Sequence, residues 1–297
     1  MGYEEFKETL LKGLREFYGE DAEVGMYRML GINGQGYDGL WIAMAGDDGY
    51  AGLVARLEDL YEEHGDDGAD GLDACMEAAI NAGEQYICSE EAERFIGRLE
   101  AWESMEGMVR PVLVNAVWNR GLLEGLASMT LLDLAVVYTI RDGEAYRMMV
   151  SDGMLKHYGV GLQELHRQAM ENMRQDGYWF LTAMEAVKDR NGGGAWKGMD
   201  GAVEQQEVYV LTNQAMEHGA AGLLQGRLLQ EFASGRSFYI LPASIDVAIF
   251  LPEDSSWDVE MLDRMVQAVN QEVGLGARLS DHSYYYDGEK DEIRMAK

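Results

Sequence analysis

Basic residues are scarce in this chain, and so are proline, cysteine and long apolar runs. Twenty-four Lys and Arg stand against 53 Asp and Glu, giving a formal charge of −29 over 297 residues. Phosphate backbones and anionic bilayers are bound through Lys and Arg, so the summed field repels both, and direct binding of nucleic acid or membrane is not expected. Two cysteines, Cys75 and Cys88, are too few for a disulfide framework and lack the CxxC spacing of a metal site. A reducing cytoplasm suits such a chain. No apolar run approaches the roughly 20 residues that a membrane-spanning helix needs. The opening Met1-Gly-Tyr-Glu-Glu-Phe6 has neither the basic flank nor the apolar core of a signal peptide, and Phe6 stands where a myristoylation signal needs Ser or Thr.

What is present is an ordinary apolar fraction of 47%, enough to bury a sizeable core. The stretch Phe238 to Pro252 carries two short apolar runs, Phe238 to Leu241 and Val247 to Leu251, punctuated by Pro242 and Pro252. Such runs predict buried strands, and this pair is expected to be the hub of the fold. Around it, Tyr3, Phe6, Leu10, Leu14 and Phe17 predict an amphipathic helix over residues 3–18. Val24 to Leu30 and Leu40 to Met44 predict a strand pair across the glycine-rich loop Gly31 to Gly36. Leu53, Leu57 and Leu60 share a helical stripe, as do Leu72, Cys75, Met76, Ala79 and Ile80, and a further helix is expected from Glu90 to Trp102. Leu131 to Ile140 predicts a strand covered on both faces, turning at Arg141 to Glu144 into Tyr146 to Val150. Helices follow over residues 162–173, along Ala221, Leu224, Leu228 and Phe232, and after Ser255, whose spacing to Asp258 suggests a cap. The loop Asn191 to Gly194 is the loosest stretch, and Ser283 to Tyr286 predicts a last strand.

Helices and strands are interspersed, with hairpins where a doubly wound sheet would place crossovers. The expected fold class is α+β, with a mixed or mainly antiparallel sheet and packed amphipathic helices. A lobe over residues 1–105 and a second over 106–297, forming one functional unit, is the expected organisation.

Four phrases, taken in order, resemble a known family: Tyr3-Glu-Glu-Phe-Lys7, Leu132-Asp-Leu-Ala-Val-Val-Tyr138, Tyr209-Val-Leu-Thr-Asn213 followed by Gly219-Ala-Ala221, and Tyr239-Ile-Leu-Pro-Ala-Ser-Ile245. That family is a set of uncharacterised bacterial proteins, domain-of-unknown-function family fifty-six eighty-eight, and the likeness spans nearly the whole chain. It implies a soluble protein of anaerobic bacteria and of their mobile elements, and brings no activity, cofactor or catalytic residue. In the family pattern the last phrase continues with His and Glu, whereas this chain has Asp246 and Val247, so a histidine-based catalyst in that loop is excluded here.

Several residues invite a chemical role. Asp66, Asp70 and Glu77 fall at positions 1, 5 and 12 of an EF-hand-like loop, but position 3 lacks a side-chain oxygen, and an acidic, solvated interhelical loop explains them better. The Gly31 to Gly36 loop has the order GxxGxG without a following Lys-Ser/Thr, and a hairpin turn accounts for it. Ser280-Asp281-His282 holds the residue types of a hydrolase relay, yet adjacent strand residues face opposite ways. His64, His157, His166, His218 and His282 are scattered without ligand spacing. Asp133 interrupts an apolar run and Asp246 sits between the hub strands; burial would raise either carboxyl toward acid-base work, or each could simply bond backbone amides. Tyr284, Tyr285 and Tyr286 form a cluster that could anchor a partner.

No metal or other cofactor is expected. With no convergent catalytic set, the leading expectation is a non-enzymatic, acidic protein-interaction module with a protein partner. Two alternatives stay open: an inhibitor whose carboxylates mimic nucleic acid, and an enzyme using Asp133 or Asp246.

Overall fold

The computed structural model describes residues 1–45, 51–64, 68–143, 146–183, 185, 207–253 and 257–297. Contacts divide the chain into two units, one of Met1–Gly31, Gln35–Ser104 and Asp142–Tyr146, the other of Ile32–Gly34, Met105–Arg141 and Arg147–Lys297.

In the first unit, α1 (Tyr3–Tyr18) has Glu4 and Glu5 in its first turn and Arg15 in its last, matching the helix dipole, and stops at Gly19 with a φ of 57°. It buries Phe6, Leu10, Leu14 and Tyr18, whereas Phe17 is 56% exposed. Positions three and four beyond Leu14 lie on neighbouring lines of the helix, and here the second of them meets the core. Strands β1 (Ala22–Leu30), β2 (Gly36–Met44) and β3 (Ala51–Arg56) form an antiparallel meander. Leu53 therefore belongs to a strand instead of the expected helical stripe, which begins at Leu57 in α2 (Leu57–His64). Helix α3 (Gly68–Tyr86) follows, then α4 (Glu90–Arg98), whose Ser89 cap accepts from the Ala92 amide at 3.1 Å. The helix expected to run on to Trp102 closes at Leu99, and Trp102 opens the short α5 (Trp102–Met105). Val24, Leu40, Ile42 and Val54 on one face of the meander pack with Phe6, Leu10 and Leu14 of α1 and Cys75 and Ala79 of α3.

The second unit opens with β4 (Val109–Asn115), α6 (Arg120–Leu123), β5 (Ser128–Leu131), β6 (Leu134–Asp142) and β7 (Tyr146–Met149), in which β6 is paired by the other three strands. The apolar run from Leu131 hides a hairpin: Leu132 takes a φ of 56°, so β5 turns back on β6 at Leu132-Asp133. After α7 (Asp152–Tyr158) and α8 (Leu162–Met173), the chain builds a six-stranded antiparallel sheet. Its members are β8 (Tyr178–Thr182), β9 (Tyr209–Asn213), β10 (Phe238–Leu241), β11 (Ala248–Pro252), β12 (Tyr284–Asp287) and β13 (Glu292–Met295), in the order β13-β12-β10-β11-β9-β8. The expected helix face from Ala221 to Phe232 is two elements, a 3-10 segment Gly219–Leu224 and α9 (Gly226–Ala233). Helix α10 (Val259–Glu272) is capped by Asp258, whose carboxylate accepts from the Met261 amide at 2.7 Å, while Ser255 and the Asn191 to Gly194 loop lie outside the described residues.

The expected hub is in place, since β10 and β11 are the two central strands and Phe238, Ile240, Ile249 and Phe250 have no exposed surface. Alternation gives the pair two apolar faces. Leu241, Ile249 and Leu251 meet Leu262, Val266 and Val269 of α10. Phe238 and Phe250 meet Phe232 of α9, which stacks on Phe180 with ring centres 3.5 Å apart. Among the described residues, no helix is long and apolar enough to cross a membrane.

Candidate functional site

Ionisable groups of the second unit converge at the turn after β9. Asn213 ends that strand, and its side chain closes the turn from both sides: Nδ2 donates to the Glu217 carbonyl at 2.7 Å, and Oδ1 accepts from the Glu217 amide at 3.1 Å. Met216 and His218 take φ values of 53° and 51°, a left-handed backbone that costs on the order of 1–3 kcal/mol for each non-glycine residue. The strain is held from the hub side, where the His218 amide donates to Asp246 Oδ1 at 2.8 Å and Thr212 Oγ1 donates to the Asp246 carbonyl at 3.0 Å. Gly219 is required at this approach, since a Cβ there would meet the Asp246 carbonyl and the Thr212 hydroxyl.

Clamped in this way, the turn presents Glu217 and His218 to Arg141 at the end of β6. Glu217 accepts from Arg141 at 3.5 Å and from Arg147 at 3.0 Å. The Arg141 guanidinium also meets His218 Nδ1, and because guanidinium only donates, Nδ1 accepts and the imidazole is neutral. Burial, reinforced by Arg141, pushes the His218 pKa down to about 4. Arg141 is itself desolvated, and its Nε is buried without a partner among the described residues. Beside it opens a cleft of about 380 Å³, lined by Met108, Arg110, Arg141, Asp176, Asn213 and Gln214. Arg110 is paired, with Nε donating to both Asp176 oxygens at 2.7 and 3.0 Å and Nη1 to the Gly107 and Val109 carbonyls. Tyr178, behind the cleft, is pushed up to about 12 by burial.

Of the residues singled out from sequence, Asp246 takes part in this arrangement as a backbone anchor for His218. Asp133 lies elsewhere, in the β5–β6 turn and not within a strand; it accepts from Ser280 Oγ at 2.6 Å and from the Tyr284 hydroxyl at 2.7 Å. The expected partner anchor fails for all three tyrosines, because Tyr284, Tyr285 and Tyr286 are 1%, 8% and 1% exposed: β12 is an inner strand between β10 and β13. Ser280 and His282 form no relay, as Ser280 turns to Asp133 and His282 lies 3.6 Å from Asp263. Asp70 and Glu77 fall on α3, which begins at Gly68, and Asp66 lies outside the described residues. His166 pairs with the buried Tyr138 hydroxyl at 2.9 Å. Arg141 and Glu217 lie 76 positions apart, and no spacing in the sequence groups them with His218; the polar Arg141-Asp-Gly-Glu144 turn after a buried strand signals Arg141 alone.

The first unit holds a different kind of surface. Among the described residues, helices pack on one face of its meander, and the other presents Tyr27, Met29, Tyr37, Trp41 and Leu53. Tyr27, Met29 and Leu53 are 60%, 36% and 43% exposed. Tyr27 stacks on Trp41 at 5.4 Å, and Gly25 leaves room for the Trp41 indole to lie across the strand. Among the described outward positions, charge enters at Glu23 and at Arg56, which lies over the Tyr37 ring at 4.3 Å.

Helices segregated onto antiparallel sheets define an α+β protein. The model of a family of unknown function, DUF5688, matches residues 3–288, and the chain belongs to that family. No curated protein and no solved structure matches the chain.

Proposed function

We propose that this chain is a non-enzymatic interaction module that binds a partner protein through the bare face of the three-stranded sheet. The observation that carries the reading is the row of exposed Tyr27, Met29 and Leu53 around the half-buried Trp41, nearly free of charge in a chain of formal charge −29. Tyr, Trp and Met are the side chains on which protein interfaces concentrate binding energy, and contiguous apolar surface is otherwise kept small on soluble proteins. Charge selects the occupant. A second copy would bring another −29 to the contact, so the fitting partner carries an apolar patch ringed by basic residues. The polar groups of the second unit support a binding role, since Asp133 and Asp246 are both held in hydrogen bonds to neighbouring elements.

The test compares proteins captured from native-host lysate by the wild-type chain and by a Tyr27→Ser/Trp41→Ser variant, with sedimentation equilibrium of both. The expected result is a basic partner retained by the wild type, weakened by salt and lost by the variant. Equal capture by both chains overturns the reading, and so does wild-type dimerisation that the variant abolishes.

A further inference from the structure

We infer that the cleft beside the Asn213–Gly219 turn binds a small carboxylate-bearing molecule, whose carboxylate is taken by Arg141 and Arg147 in the seat that Glu217 now fills. The inference is independent of the sheet face. Glu217 shows which chemistry the two guanidinium groups accept: a single carboxylate lies between them, 3.0 Å from Arg147 and a loose 3.5 Å from Arg141. Arg141 is left under-satisfied, with one N–H on a neutral imidazole and its Nε unpartnered among the described residues. Planar guanidinium matches a carboxylate with two parallel N–H donors, a geometry the long Glu217 contact does not achieve.

Charge fixes the size of the anion. Asp176 is paired with Arg110, and among the described residues Glu217 is the carboxylate in ion-pair contact with Arg141 and Arg147. Asp246, across the turn, is directed at the His218 amide. His218 adds no positive charge, being neutral well above pH 4. The three arginines therefore outnumber Asp176 and Glu217 by one, which suits a monoanionic carboxylate better than a dianionic phosphate. Arg141 lines the adjoining cleft of about 380 Å³ with Asn213 and Gln214, which gives room of small-molecule size for the rest of such a ligand beside the carboxylate seat. The turn that carries Glu217 has strained, left-handed residues on both sides of it, Met216 and His218, so the carboxylate is mounted on backbone with an incentive to relax when displaced.

The test is calorimetric titration with acetate, succinate and inorganic phosphate, each against sodium chloride of matched ionic strength. The chains are the wild type, Glu217→Gln, Arg141→Gln and Arg147→Gln. Removing the internal competitor in Glu217→Gln is expected to tighten acetate binding by about tenfold or more. Arg141→Gln is expected to abolish the signal, and Arg147→Gln, at a half-exposed position, to weaken it by a similar factor should Arg141→Gln fail to fold. The inference is overturned if neither the wild type nor Glu217→Gln binds a carboxylate at about 10 mM, if both arginine variants bind as the wild type does, or if phosphate binds more tightly than acetate.

Discussion

Tyr284 donates its phenolic hydrogen to Asp133 at 2.7 Å, across 151 positions of sequence. The other carboxylate oxygen accepts from Ser280 Oγ at 2.6 Å, and Ser280 passes the order on by accepting from the His282 amide at 3.0 Å. Asn115 and Asn270 extend the network by donating to the Leu279 and Ser280 carbonyls. One residue of a β-turn thus ties β5 and β6 to the strand that enters the larger sheet. A buried polar network is most stabilising when every member is satisfied, and in this one Asn270 Oδ1 is buried without a partner among the described residues.

Tyr284→Phe removes one donor and keeps the ring. Because it leaves a carboxylate oxygen short of a partner, the expected loss is about 1–3 kcal/mol in urea-induced unfolding. A loss below about 0.5 kcal/mol would mean that Asp133 is served by solvent instead. The same hydroxyl sets an alkaline limit. Burial and the Asp133 charge raise the Tyr284 pKa far above its ordinary value of about 10. The folded state therefore keeps a proton that the unfolded state gives up, and the stability is full below pH 10 and declines as pH rises above it. Tyr138 and Tyr178 act in the same direction. Ultraviolet titration should show a class of tyrosines that ionise only as the fold is lost.

Much of the frame was legible because alternation and helical spacing report burial directly. The pair Phe238–Leu241 and Ala248–Pro252, α1, α8 and the first hairpin all follow from such patterns. What stayed hidden depends on backbone conformations that side chains do not announce. Leu132 adopts a left-handed turn inside an apolar run, and Met216 and His218 do so without a glycine between them. The tyrosine triplet misled for another reason: alternation says that neighbours face opposite ways, not whether either face is open, and at β12 both are covered. The Arg141 cleft draws on β4, β6 and the ends of β8 and β9, so its members are distant in sequence.

Gly219 offers a direct check of the Asn213–Gly219 turn. A methyl group there would press on the Asp246 carbonyl and Thr212, which are fixed to one another by a hydrogen bond. Gly219→Ala is expected to cost about 1–3 kcal/mol, the usual penalty of overpacking. Gly97, in α4, has nothing within 4 Å of the same added atom. Gly97→Ala should be neutral or stabilising by up to about 1 kcal/mol. Equal effects of the two substitutions in thermal unfolding would refute the close approach.

The first unit carries its own pH dependence through Lys7 and Asp38, whose side chains are 9% and 11% exposed and lie 2.9 Å apart. Asp38 also accepts from Arg28 at 3.0 Å and from the Tyr3 hydroxyl at 3.2 Å. Lys7, followed by Arg28, holds the Asp38 carboxyl below the usual value of about 3.9. The unfolded state then binds the proton first, so this contribution is complete above pH 4 and disappears as pH falls through the folded-state pKa. Lys7 is shifted upward by Glu4 and Asp38, and its share is lost only as pH rises beyond about 10.4. Lys7→Met leaves Asp38 to Arg28 and Tyr3 and removes the more buried of its two cations, which should cost about 1–3 kcal/mol at neutral pH. As pH falls toward 3 the carboxyl that has lost Lys7 takes up its proton more readily than in the wild type, so the difference between the two should shrink. A Lys7→Met/Asp38→Leu double variant should recover most of the loss, because an apolar pair leaves no buried charge unopposed. Urea midpoints at pH 7 and pH 3 decide the matter: an undiminished difference at the lower pH would show that Lys7 acts through packing of its stem and not through Asp38.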